Sequence, residues 1–212
     1  MAPLLSLAPG HENTTLALIT LFLVFGFYGL VFPLLMSILP ILFFGICAHL
    51  FFFRDPNREI NRDSKLIIAP ADGTIYELDA LRGIIRIRMS LFDVHVTRIP
   101  VSGVITAIDN QKGKHWPFFS FIHRGTNENA RQLIHIRNSI GDFLVVQIVG
   151  ILARRCTCYL SVDDQIQQCD RLGMIYYGSE VDIHFPLEKF DILVKKKDKM
   201  VAGQTPMAQL KD

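Results

Sequence analysis

Apolar and polar positions follow two different rules along this chain. Residues 14–53 form one uncharged run, rich in Leu, Ile and Phe. A helix crosses the hydrocarbon core of a bilayer with ~20 residues, so the run is twice too long for a single span. Pro33 and Pro40 interrupt it, and Gly26 and Gly29 precede them. The pattern predicts two membrane spans, residues 14–31 and 34–53, joined by a tight turn near Pro33, behind an N-terminal tail of residues 1–13. No basic segment precedes the run, which argues against a cleaved signal peptide.

Beyond Pro56 the pattern becomes short alternating runs broken by Gly, Pro and Asp. Gly83-Ile84-Ile85-Arg86-Ile87-Arg88-Met89, Leu133-Ile134-His135-Ile136-Arg137 and Phe143-Leu144-Val145-Val146-Gln147-Ile148-Val149 have the two-residue period and β-branched content of strands. A short helix is expected only at residues 126–131. The predicted fold class is mainly β (α+β): one domain at residues 54–212 behind a transmembrane helical hairpin. Two internal echoes point to a sheet built from repeated turns. Pro70-Ala71-Asp72-Gly73-Thr74-Ile75 matches Pro100-Val101-Ser102-Gly103-Val104-Ile105, and Asp164-Gln165-Ile166-Gln167 matches Asp198-Lys199-Met200-Val201. The second pair resembles the hairpins of lipoyl or biotinyl carrier domains. No carrier lysine sits at such a turn, so lipoylation is not expected.

Charge adds orientation. All 22 basic residues lie after Phe53, with every acid except Glu12. Arg54, Arg58, Arg62 and Lys65 follow the second predicted span directly, which places the domain on the cytoplasmic side of a cell membrane. No basic stripe marks a nucleic-acid partner. Cys47, Cys156, Cys158 and Cys169 have neither zinc spacing nor disulfide-framework spacing, consistent with reduced, packed thiols. No H-x-H or HExxH pair exists, so no metal is expected and a zinc hydrolase using His95 with His115, His123 or His135 is disfavoured.

Gly178-Ser179 lies between two strand-like runs, Gly173-Met174-Ile175 and Val181-Asp182-Ile183. By itself this is an ordinary turn signal. A serine hydroxyl can also attack the carbonyl of its own preceding residue, and a glycine there adds no Cβ to obstruct the attack. His95, in Asp93-Val94-His95-Val96, is the candidate base; a mid-strand position would put Asp93 and His95 on one face. Asp72 could orient the imidazole.

The order of blocks resembles the phosphatidylserine decarboxylase family in its short membrane-anchored form. The blocks are Phe52-Phe53-Arg54-Asp55-Pro56, Ala69-Pro70-Ala71-Asp72-Gly73, Asp93-Val94-His95-Val96 and Arg98-Ile99-Pro100-Val101-Ser102-Gly103. Gly113-Lys114, Asn127-Glu128-Asn129, Gln147-Ile148-Val149-Gly150, Ala153-Arg154-Arg155, Gly178-Ser179 and Val201-Ala202-Gly203-Gln204-Thr205 follow. The resemblance implies self-cleavage between Gly178 and Ser179, giving a β chain ending at 178 and an α chain starting at 179. Ser179 would become a covalent pyruvoyl group that forms a Schiff base with the substrate amine, with no metal. Asp72, His95 and Ser179 would form the maturation triad. Phosphatidylserine would be the substrate and phosphatidylethanolamine the product. Homodimerisation is a family expectation.

Departures from the family pattern are local. Arg98 stands where larger members carry a second histidine, and Cys169 where many have Gly. Residues 115–121 are unusually aromatic, which suggests either interfacial insertion or core packing. Arg98, Lys114 and Arg155 (or Arg154) are candidate contacts for a substrate carboxylate or phosphate, and Lys195, Lys196, Lys197 and Lys199 could attract anionic lipid. Two other readings stay open. One is a decarboxylase of another serine phospholipid, of the archaetidylserine type. The other is a catalytically silent, membrane-tethered lipid-binding β-domain.

Overall fold

The computed structural model describes residues 12–31, 38–60, 62–114, 128–150, 156–176 and 179–211. The chain forms two compact units, Met1–Asn57 and Arg58–Asp212.

The first unit contains α1 (Glu12–Val31) and α2 (Ile38–Phe52), which pack against each other. His49 Nε2 lies 3.0 Å from Thr15 Oγ1 on the opposite helix. Within α1, a stretch of 18 residues is long and apolar enough to cross a membrane. The other helix has 15 residues and falls short of that length. The structure therefore supports one candidate span rather than a pair of full-length ones. Pro40 lies in the first turn of α2, where a missing N–H breaks no helical bond.

The second unit is almost entirely β. Its strands are β1 (Leu66–Ile68), β2 (Gly73–Asp79), β3 (Ile84–Arg88), β4 (Val96–Arg98), β5 (Gly103–Gln111), β6 (Arg131–Arg137) and β7 (Asp142–Val149). They continue with β8 (Cys156–Cys158), β9 (Gln165–Ile166), β10 (Arg171–Ile175), β11 (Ser179–His184), β12 (Phe190–Ile192), β13 (Lys199–Met200) and β14 (Pro206–Leu210). The three strands read from alternation are β3, β6 and β7. The helix expected at 126–131 is corrected at its end, because Arg131 opens β6; residues 126 and 127 lie outside the described residues.

One eight-stranded sheet has the order β13-β2-β3-β11-β7-β6-β5-β9, and two three-stranded sheets have the orders β1-β14-β12 and β4-β10-β8. These orders contain an internal two-fold. Exchanging β1-β2-β3 with β4-β5-β6, and β11-β12-β13-β14 with β7-β8-β9-β10, maps each sheet order onto its counterpart. Backbone bonds repeat with it. Ile75 N–H donates to Asp198 O at 3.0 Å, and Ile105 N–H to Asp164 O at 3.1 Å; Gly203 N–H donates to Ala69 O and Cys169 N–H to Ile99 O, at 2.9 and 2.8 Å. Cys169 has φ +70° and Gly203 φ +75°, which is why glycine suits either place. The two sequence echoes are the visible part of this repeat. A likeness to lipoyl hairpins is not supported beyond it.

The second repeat, β4 to β10, is contiguous and sits inside the first, between β3 and β11. The chain passes between repeats twice, at residues 89–95 and 176–178. The core comprises inward-facing residues of both repeats, among them Ile75, Ile85, Ile87, Ile105, Ile136, Val145, Leu172, Val181, Ile183 and Met207.

Candidate active site

The two crossings between repeats hold two of the candidate site residues, His95 and Ser179. His95 ends the first crossing and is fully buried. It immediately precedes β4 rather than lying mid-strand. Asp93 belongs to a tight turn, where its Oδ2 accepts the Ser90 N–H at 2.7 Å. The expected shared strand face of Asp93 and His95 is thus corrected: the turn aims the Asp93 carboxylate back at Ser90. Its carbonyl, not its carboxylate, meets the imidazole, with Asp93 O 2.9 Å from His95 Nδ1. A carbonyl oxygen only accepts, so Nδ1 carries the hydrogen and Nε2 keeps the basic lone pair.

The backbone of His95 is tied to the second crossing. Ile175, the last residue of β10, donates its N–H to His95 O at 3.2 Å. Residues 176–178 then lead into Ser179, which opens β11 opposite Val149. Gly178 lies outside the described residues.

Asp72 is engaged elsewhere. Its Oδ1 and Oδ2 each accept from Arg58, both at 2.7 Å, and Oδ1 also accepts the Ala202 N–H at 2.8 Å. Arg58 Nη1 donates to Ala202 O as well, at 2.6 Å. This corrects the expectation that the Asp72 carboxylate holds the imidazole in the uncleaved chain. The repeat explains part of the geometry. Ser102, the counterpart of Asp72, accepts the Gln168 N–H at 2.9 Å, so capping that N–H is a property of the turn. The bidentate Arg58 pair is the feature unique to Asp72. A backbone link remains, because Arg98 N–H donates to Pro70 O at 2.8 Å, two residues before Asp72 and three after His95.

The three candidate contacts for substrate separate. Arg98 is buried, donates to Cys169 O at 3.0 Å, and packs under Gly203, where a Cβ would sit 2.7 Å from Arg98 Cδ. Lys114 is exposed and paired with Glu128 at 2.7 Å. Arg155 and Arg154, like the aromatic segment 115–121, lie outside the described residues. Among the described residues no cluster of three or more His, Cys, Asp or Glu could hold a metal ion.

Four polar groups near the crossings, Gln147, Arg58, Glu180 and Asp182, have partners that the sequence does not announce. Gln147, fully buried in β7, donates from Nε2 to Thr97 Oγ1 at 2.7 Å, two residues after His95. A glutamine at an inward place in the apolar run 143–149 was its only signal. Arg58 left none, being one charge in a polar connector. Glu180 is fully buried next to Ser179: Arg88 Nε reaches its Oε1 at 2.9 Å and Tyr76 O–H donates to its Oε2 at 2.9 Å. Burial raises the Glu180 carboxyl despite the opposing pull of Arg88. Asp182, two residues on, faces the same way. Its Oδ2 is 3.3 Å from Arg86 Nε, and burial pushes its pKa up to about 7, against Arg86.

Ile175, whose N–H meets the His95 carbonyl oxygen, stands four residues before Ser179, the first residue of β11.

Comparison with known proteins agrees. The family model described as phosphatidylserine decarboxylase matches residues 48–208. A proposed archaetidylserine decarboxylase proenzyme of Methanosarcina mazei is 40% identical over 161 residues, 76% of this chain and 74% of that protein. The phosphatidylserine decarboxylase proenzyme of Chlorobium phaeobacteroides is 33% identical over 215 residues, 97% of this chain and 100% of that protein. That of Wolbachia pipientis is 36% identical over 179 residues, 78% of this chain and 76% of that protein.

Proposed function

Because the chain belongs to the phosphatidylserine decarboxylase family, we propose that it converts phosphatidylserine to phosphatidylethanolamine and carbon dioxide, using a pyruvoyl group made from Ser179. The Ser179 hydroxyl attacks the Gly178 carbonyl carbon. The amide C–N bond breaks as the ester forms. Loss of the Ser179 α-proton then expels the Gly178 carboxylate, and water releases ammonia to leave the new ketone. His95 Nε2 takes the hydroxyl proton, since Nδ1 is committed to Asp93 O. Asp72 acts as a positioning group, holding Arg58 and the Ala202 turn beside the Arg98 strand. Once formed, a pyruvoyl ketone captures the substrate amine and takes up the electrons left when carbon dioxide departs. His95 remains in place to return a proton to the substrate carbon.

The observation that carries this reading is the Ile175–His95 backbone bond, which ties the basic imidazole to the strand leading into Gly178-Ser179. The helix pair is read as the membrane anchor. The basic residues after α2 orient the domain toward the cytoplasm, in contact with its lipid substrate. Arg155 and Lys114 stay proposed contacts for lipid phosphate.

The intact mass of the purified chain, with and without a carbonyl-trapping hydrazine, tests the reading. Two chains split after Gly178, the smaller shifted by the hydrazine, are expected. Ser179→Ala should leave one uncut chain without decarboxylase activity, and His95→Gln should slow cutting severely. A wild-type chain that stays uncut and inert would favour a silent lipid-binding domain. A second substrate is favoured by the 40% identity to the Methanosarcina proteins. Parallel assays on phosphatidylserine and its archaeal ether-linked analogue separate the two.

A further inference from the structure

One corner of the β domain holds a cavity of about 430 Å³, rimmed by Lys196, Lys197, Lys199, Arg88, Ser90 and Asp93. The Arg88 charge is met by Glu180, and the Asp93 carboxylate accepts the Ser90 N–H. The three lysines are exposed and form no ion pair with a described residue. Their turn is fixed: Lys197 N–H donates to Ile75 O at 2.8 Å, and Lys195 N–H to Asp198 Oδ2 at 2.9 Å.

The internal repeat supplies a control for what the lysines are for. The turn Ser161-Val162-Asp163-Asp164 makes the same bonds, Asp163 N–H to Ile105 O at 2.8 Å and Ser161 N–H to Asp164 Oδ2 at 2.8 Å. Asp163 even shares the left-handed φ, +73° against +80° at Lys197. The same backbone thus forms with Ser, Val and Asp where this turn has three lysines. Basic character is not a requirement of the turn.

Beside the lysines stands an apolar tip. The turn at residues 90–93, which contributes Ser90 and Asp93 to the cavity, leaves Leu91 50% and Phe92 78% exposed. Apolar side chains next to exposed lysines are the combination that settles at an anionic lipid surface. We propose that this corner docks on the anionic leaflet of the membrane that anchors the chain, with lipid phosphates among Lys196, Lys197 and Lys199 and with Leu91 and Phe92 in the acyl boundary. The proposal rests on the reading of the chain as a membrane-anchored decarboxylase. It does not concern the substrate's own phosphate. Lys199, Thr74, Arg88 and Glu180 stand in one row across four strands. That row is ~14 Å long at the usual strand spacing, too far for the phosphate of a lipid whose amine sits at residue 179. Because residues 91–93 run straight into Val94 and His95, docking brings the buried base's crossing against the bilayer.

The test is footprinting of the full-length chain, and of its Ser179→Ala form, in nanodiscs of zwitterionic lipid with and without about 30% of anionic phosphatidylglycerol. Acetylation reads the lysines and hydroxyl radicals read Leu91 and Phe92. Slower labelling of both sets in anionic discs alone is expected, with loss of about five-fold in partitioning for each lysine removed. The Lys196→Gln/Lys197→Gln/Lys199→Gln chain should lose the protection of Leu91 and Phe92. Equal labelling in both discs, or equal lysine protection by inorganic phosphate in detergent, would overturn the proposal. The Ser179→Ala arm keeps this result independent of any decarboxylation.

Discussion

Replacing Asp182 with Asn makes the sharpest demand on the electrostatics described above. The residue is 6% exposed, and among the described residues its Oδ1 has no hydrogen-bond partner. Burial lifts its pKa from 3.8 to about 7. A carboxyl raised on folding binds its proton more tightly in the native state. Its contribution is therefore fully present below about pH 4 and is lost as pH rises through about 7. A shift of about 3 units corresponds to roughly 4 kcal/mol of stability lost at pH 8 relative to pH 4. Asn cannot ionise and removes that loss. Arg86 is not orphaned, because Glu77 also pairs with it at 2.8 Å. Seating the new amide offsets about 1 kcal/mol of the gain. The variant should therefore melt roughly 2–4 °C below wild type near pH 4 and roughly 6–12 °C above it at pH 8. Thermal melts of the detergent-solubilised chain, followed by the β-sheet circular dichroism signal, measure this. Glu180 stays ionisable in both proteins and repels Asp182, so the difference between their pH profiles reports Asp182 together with its coupling to Glu180. Parallel profiles, or a lower melt for Asp182→Asn at pH 8, would refute the reasoning.

Arg58→Met should cost about 3 kcal/mol, because it strips a bidentate partner from a mostly buried Asp72, and should show as a lower melting temperature at neutral pH. Gly173→Ala places a Cβ 2.1 Å from Thr157 O across a strand pair; it should cost about 3 kcal/mol and reduce the folded yield, measured by size-exclusion recovery. Burial pushes the Cys156 thiol up to about 11, so it should resist iodoacetamide at pH 8 in the native protein and react on unfolding, read by peptide mass.

Strands were legible where one face of a sheet is buried, since Ile85 and Ile87 or Val145 alternate with polar or outward residues. The two N-terminal helices were legible as an apolar run, but hydrophobicity alone does not set helix limits; among the described residues the second runs over Ile38–Phe52, and residues 34–37 lie outside them. Asp72 was legible as a turn residue, whereas His95, expected mid-strand, stands just before β4, and the partners of neither were legible. The Asp72–Arg58 pair spans 14 positions of chain, and tertiary packing decides it. The repeat announced itself only through Pro, Gly and Asp, the residues that turns constrain. Other counterparts, such as Ile68 and Arg98, share backbone bonds but no side-chain chemistry, so no sequence pattern records them.

The nested arrangement of the repeats bears on what a cut after residue 178 does to folding itself. The second repeat stays whole on the larger fragment, while the first is divided, with β1-β2-β3 on one fragment and β11-β12-β13-β14 on the other. β11 is hydrogen-bonded on both sides, to β3 and β7, so the smaller fragment cannot leave without opening the large sheet. Before the cut, folding is a unimolecular event. Afterwards reassembly is bimolecular, and its midpoint depends on protein concentration. A molecule cut there would persist through the height of its unfolding barrier, without the connectivity with which it first folded.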